Sequence, residues 1–230
     1  MPASLLRWGI KTRKYAVLSV CMIGLTSCGN DPQKYIDRGN RFFDTRKYDD
    51  AVLQYRKALQ KNPNSGDAHY RLALAESERG HLADAYRELQ RAVELMPENV
   101  PAIFRLGQLA LSGYNADPNR QPQFEQQAKT EAGLLLGRDF QGYEGNLLQG
   151  GIDLVDKKPA EAAAHFRQAL TAKPDDPNAT LGLARALVDG GQTEAGIDLA
   201  RQLVAKDKTF DPAYDYLFRQ YAQADRKSVV

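Results

Sequence analysis

A spacing of 34 residues constrains this chain more than any other feature: Tyr35, Gly39, Phe42, Tyr48, Ala51, Tyr55, Ala58 and Pro63 form one series, and Ala73, Gly80, Leu82, Ala85, Leu89, Ala92 and Pro97 supply much of the next. Self-similarity at a period this long predicts pairs of helices stacked as a solenoid, because one pair alone cannot bury its apolar face. The residue types fit that geometry. Gly39 and Ala73 let the first helix of a pair approach the second, Ala51 and Ala85 do the same from the other side, and Tyr55 and Leu89 fill the wedge between pairs. Pro63 and Pro97 stop the second helix and push the preceding residue out of the αR region.

A third unit opens after Pro97, with Ile103, Leu106, Gly107 and Ala110 in the places of His69, Leu72, Ala73 and Glu76. Its second half departs. Residues 114–122 are polar and proline-bearing, which predicts an insertion loop followed by a helix from about Phe124 to Gly137. Gly150, Ala162, Phe166, Ala169 and Pro174 then restore the mutual offsets of Gly39, Ala51, Tyr55, Ala58 and Pro63. A fifth unit follows from Asn178, with one residue fewer expected before Ala195, and Phe210 opens a further helix carrying Tyr214, Leu217, Phe218 and Tyr221. That helix reads either as the cap of the array or as the start of a longer one. The recurring order of aromatic, Gly, aromatic, Ala, aromatic, Ala and Pro resembles the tetratricopeptide repeat. The resemblance implies an all-α, right-handed solenoid of helix-turn-helix units over residues 32–224, about five repeats plus a terminal helix, with a tail at 225–230.

Ahead of the repeats, Arg7, Lys11, Arg13 and Lys14 precede a mostly apolar run at residues 15–26 and then Ser27, Cys28 and Gly29. This is the layout of a secretory signal, and the apolar run is too short to cross a bilayer as a helix. Leu25, Thr26, Ser27 and Cys28 together resemble a bacterial lipobox, in which the cysteine thiol is acylated and becomes the new N-terminus. The resemblance implies a lipoprotein signal peptide at 1–27, a lipidated tether at 28–31 and stable anchorage through Cys28, since two or more acyl chains hold a protein on a membrane. It also implies an envelope location facing the periplasm, with Gly29 after the cysteine leaning towards the outer membrane. An ordinary signal peptide ending at Cys28 is the alternative. Processing would remove Cys21 and leave one cysteine, so no internal disulfide is expected. The leading cations have no acidic neighbours, and without them the 31 basic and 29 acidic residues balance slightly acidic, which gives no reason to expect a nucleic-acid partner.

Nothing in the chain reads as an enzyme. His69, His81 and His165 have no second histidine or cysteine at a helical ligand spacing, so no metal is expected. The Gly150-Gly151 and Gly190-Gly191 pairs lack the Lys-Ser/Thr of a phosphate loop, and no cofactor motif is present. Asp49, Asp50, Asp175 and Asp176 flank helices, where capping is the stronger reading.

The first helices of successive pairs line a concave surface in the repeats this chain resembles. One ladder there reads Ile36, Tyr70, Phe104, Leu147, Leu181; a second reads Asn40, Leu74, Gln108, Gly151, Arg185; a third reads Phe43, Ser77, Leu111, Leu154, Val188. Ile36, Asn40, Phe43, Tyr70, Arg71, Leu74, Phe104, Arg105 and Gln108 are the expected partner-binding residues, apolar with sparse polar points, suited to a peptide or helix of a protein partner. The carboxylate clamp of some family members is incomplete, because Ile36, Arg71 and Pro101 replace three of its residues. Arg71 and Arg105, one period apart, still favour an acidic stretch. The expected function is a membrane-anchored scaffold of an envelope, secretion or exopolysaccharide machine. The alternatives are a pilotin-like lipoprotein for secretin or type IV pilus assembly, and a carbohydrate-binding accessory subunit stacking sugars on Tyr48, Tyr143, Tyr214 and Tyr216.

Overall fold

The computed structural model describes residues 31–116, 119 and 121–228; the expected signal peptide and Cys28 lie outside the described residues. The compact unit that begins at Pro32 is built of helices, with no strand among the described residues. They come in pairs: α1 (Pro32–Asp44) with α2 (Tyr48–Lys61), α3 (Gly66–Glu78) with α4 (Leu82–Leu95), α5 (Val100–Ala116) with α6 (Pro122–Arg138), α7 (Tyr143–Val155) with α8 (Pro159–Ala172), and α9 (Pro177–Asp189) with α10 (Thr193–Lys206). A last helix, α11 (Asp211–Ser228), stands without a following partner among the described residues and runs past the expected end of the array. Each first helix packs on its second, each second on the next first, and α5, α7 and α9 also touch in succession.

One backbone device closes the turn inside four of the pairs. Arg46 (φ 58°), Gly80 (φ 77°), Lys157 (φ 58°) and Gly191 (φ 84°) are left-handed and fall at the same place in their repeats. The N–H after each reaches five residues back, Lys47 to Phe42 O (2.9 Å), His81 to Glu76 O (2.9 Å), Lys158 to Asp153 O (2.8 Å) and Gln192 to Leu187 O (2.8 Å). This is the Schellman stop, which satisfies helix-terminal carbonyls at the cost of a positive φ. At the opposite junction, Ser65, Asn99 and Asp176 each accept from the N–H three residues on, at 3.3, 3.0 and 2.8 Å, and so cap α3, α5 and α9.

Small residues face large ones both within and between pairs, as the sequence pattern requires. A Cβ on Gly39 would lie 2.4 Å from the Tyr55 ring, and one on Gly182 would lie 2.4 Å from the Phe166 ring. Tyr55, Leu89 and Phe166 are correspondingly buried in a run of apolar clusters that extends along the array. Burial pushes the Tyr55 hydroxyl up to about 12, and it donates to Asn40 Oδ1 at 2.9 Å.

The structure corrects two readings. The fifth repeat keeps the full period, because Gly196, not Ala195, is the buried small residue, and a Cβ there would meet Ala184 O at 2.5 Å. Ala195 is exposed. The insertion is also shorter than expected: Tyr114, Asn115 and Ala116 continue α5 by another turn, and Pro122 already stands at the start of α6. Proline there is pre-set for the first helical turn and lacks only an N–H that would be unpaired anyway.

Candidate functional site

The concave surface is built by α1, α3, α5, α7, α9 and α11, and it is open. Three adjoining hollows follow it: one of about 420 Å³ touched by Phe43, Leu74, Arg105 and Gln108, one of about 310 Å³ beside Leu111 and Leu147, and one of about 980 Å³ bounded by α5, α7, α8, α9 and α11. Phe43, Leu74, Arg105 and Gln108 of the expected set are thus brought together at the N-terminal end.

The other expected residues are used differently. Ile36 is 3% exposed and packs with Ala51 and Tyr55, so it offers no surface to a partner. Its ladder faces the seam between helices: Leu147 and Leu181 are buried, and Tyr70 and Phe104 are half-buried against core clusters. Burial raises the Tyr70 hydroxyl above its ordinary value. Asn40 is held by Tyr55, and the Arg71 Nε is engaged by both oxygens of Asp67 on its own helix, each at 3.0 Å. Arg105 is exposed, with no carboxylate at ion-pair range among the described residues.

The tyrosines that would stack on sugars are mostly withdrawn. Tyr143 and Tyr216 are buried, and Tyr48 lies edge-on to Phe43 at 5.4 Å. Only Tyr214 is exposed, so these four do not form a stacking platform.

Sequence reasoning missed a buried carboxylate and the far end of the groove. Glu76 is fully buried; its oxygens receive Arg56 at 2.8 Å and Arg79 at 2.7 Å, with His81 at 3.1 Å, and Arg79 reaches on to Asp49 at 2.7 Å. Glu76, His81 and Asp84 lie within 4.8 Å of one another, a possible ligand trio. Two guanidinium groups already neutralise Glu76, so the cluster acts as a bolt between the first two repeats. Asp153, in the equivalent place of the fourth repeat, is likewise buried and pairs with His165 at 2.7 Å. At the groove's C-terminal end stand Arg185, Tyr216 and Arg219. The second ladder had reached Arg185; one further step of the period gives Arg219, so the signal was present in the spacing.

Comparison with known proteins agrees with this architecture. Residues 154–221 match one tetratricopeptide-repeat model and residues 39–77 match another. The chain is therefore a helical array carrying tetratricopeptide repeats. Hsp70-Hsp90 organizing protein 3 of Arabidopsis thaliana is 31% identical over 71 residues, covering 31% of this chain and 13% of that protein. Cellulose synthase operon protein C of Pseudomonas fluorescens (strain SBW25) is 26% identical over 186 residues, covering 75% of this chain and 14% of that protein. The chain thus spans only a small part of the curated relatives it matches. Among solved structures, a thermophilic TPR protein of Thermus thermophilus, TTC0263, has a TM-score of 0.65 at 18% identity, covering 82% of this chain and 97% of that one. Pseudomonas aeruginosa pilF has a TM-score of 0.59 at 21% identity, covering 83% and 92%. These likenesses are of fold.

Proposed function

We propose that the protein is a lipid-anchored scaffold, facing the periplasm, that holds a protein partner in its concave groove within an envelope assembly concerned with exopolysaccharide. The observation that carries this reading is the open groove itself: the array leaves a continuous concave face unfilled while its core is closed by small-against-large packing. An extended segment or a helix laid along it meets apolar anchors such as Phe43 and Leu74 and spaced polar groups such as Arg105 and Gln108. The exopolysaccharide setting is supported by the similarity to cellulose synthase operon protein C over most of this chain. The anchor rests on the lipobox-like residues ending at Cys28.

Among the described residues no helix is long and apolar enough to cross a membrane. Attachment in this reading runs through the acylated cysteine. The pilotin-like alternative shares anchor and groove and differs in the partner, a secretin subunit. Intact mass and membrane fractionation beside Cys28→Ala test the first half: a lipid-shifted mass and membrane recovery, both lost in the variant, are expected. A soluble, unmodified wild type contradicts it. Secretin multimers lost on deletion would favour the alternative, and intact multimers would remove it.

A further inference from the structure

The largest hollow on the concave face holds two arginines that form no ion pair among the described residues. Arg185 and Arg219 occupy the same place in consecutive repeats, on α9 and α11, and both line the 980 Å³ cavity. Neither has a carboxylate at ion-pair range among the described residues, although Asp189 and Asp215 line the same cavity. The other arginines of the array are commonly spent: Arg56 and Arg79 on Glu76, Arg71 on Asp67, Arg201 on Asp198. The Arg185 guanidinium stands 5.6 Å from the centre of the buried Tyr216 ring, which braces it. It remains open to water, yet the concave wall removes enough solvent to lower its pKa; Arg219 adds repulsion, and Tyr216 and Asp189 offset part of it. Asp189 and Asp215 compensate the two cations only in part, so a further anion entering between the guanidinium groups gains favourable charge interaction.

We propose that this cavity is the docking site for an acidic segment of the protein partner, with the partner's carboxylates received by Arg185 and Arg219. The site names the chemistry of the partner assigned to the groove and rests on that reading. The occupant follows from charge and size together. Guanidinium forks match carboxylates in plane and direction. The cavity is far too large for a lone small anion, and Leu154, Val155 and Tyr216 give it an apolar wall on which neighbouring side chains can lie. Asn115, Gln220 and Gln223 offer amides to an extended backbone. Asp189 and Asp215 at the same cavity disfavour a continuous acidic run, so the segment carries acids interspersed with apolar residues.

The test is fluorescence anisotropy of the full-length protein in detergent with a labelled peptide alternating glutamate and leucine, beside the same peptide with lysine for glutamate, and with inorganic phosphate as competitor. Saturable, salt-sensitive binding of the glutamate peptide alone is expected, weakened about tenfold by Arg185→Gln and again by Arg219→Gln, the scale of one charged hydrogen bond. Arg185→Lys and Arg219→Lys should retain part of it. The unliganded Gln variants should melt within a few degrees of wild type, because the relieved Arg219 repulsion opposes the lost Tyr216 and Asp189 contacts, whereas a purely structural arginine would lower the melting temperature well beyond that. Equal binding of the lysine peptide, displacement by phosphate at matched charge, or insensitivity to both Gln substitutions would overturn the proposal. If Arg105→Gln abolishes binding while the Arg185 and Arg219 variants do not, the groove reading stands and this site fails. If no peptide binds, this site fails and the groove reading is decided by crosslinking along the array.

Discussion

The turn inside four of the helix pairs offers a quantitative test, because two glycines and two long side chains occupy the same left-handed slot. A Cβ at Gly80 or Gly191 would meet nothing within 4 Å, so substitution there acts on the backbone alone. An L-residue in the left-handed region costs about 1–2 kcal/mol, and alanine returns about 0.4–1 kcal/mol by restricting the unfolded chain. Gly80→Ala and Gly191→Ala should each therefore destabilise by about 1 kcal/mol, or about 2–4 °C for a chain of this size. The reciprocal changes, Arg46→Gly and Lys157→Gly, remove the strain at φ 58° and should stabilise by about 0.5–1 kcal/mol after the same entropic correction. Neither side chain makes a hydrogen bond or ion pair among the described residues, so none is lost. Urea titration of the four variants followed by circular dichroism at 222 nm gives the comparison. Glycine variants that are less stable than wild type, together with alanine variants that are not, would refute the assignment of these turns.

Three further outcomes follow from packing and charge. Gly182→Ala places a methyl 2.4 Å from the Phe166 ring and should destabilise by about 1–3 kcal/mol in thermal melts, and a Phe166→Leu second change should recover part of the loss. Glu131 is 2% exposed, takes one hydrogen bond from Gln127 and has an unpaired oxygen Oε2, and burial raises its pKa. The folded state then holds this proton more tightly than the unfolded chain, so stability is fully present below the ordinary carboxylate pKa and falls as pH rises through the raised one. Glu131→Met should remove that slope and gain about 1–3 kcal/mol near neutral pH, seen as a melting temperature that diverges from wild type with increasing pH. Glu76→Ala removes the buried acceptor shared by Arg56, Arg79 and His81 and should cost about 1–3 kcal/mol, with the excess hydrogen exchange confined to α1–α4.

The repeat spacing made most of the fold legible because each slot has a steric meaning. Gly39 against Tyr55 and Gly150 against Phe166 could be read without coordinates, and so could the capping role of Asp176. Where a slot is filled by an unusual residue the reading weakened. Gly196 takes the place of an alanine, which hid the register of the fifth repeat, and Glu76 fills a slot where Phe42 and Ala110 stand, its charge compensated from Arg56 one repeat away. A ladder drawn from spacing also cannot say whether a side chain turns into the seam or the groove. Ile36 and Leu181 turn inward while Leu74 and Arg185 stay on the concave side. The last helix shows the same limit. Phe218 stands one period after Ala184, in the slot that elsewhere lets a second helix approach, and it is 74% exposed.

The central claim, that partners are held on the concave face, is tested most directly by placing a photoreactive residue at single positions around the array in the native membrane. Leu74, Gln108 and Arg185 sample the groove, and Leu53, Arg87 and Leu134 sample exposed faces of the second helices. The account predicts one partner species crosslinked from the groove positions and absent from the outer ones. The same species captured only from Leu53, Arg87 or Leu134 would contradict it.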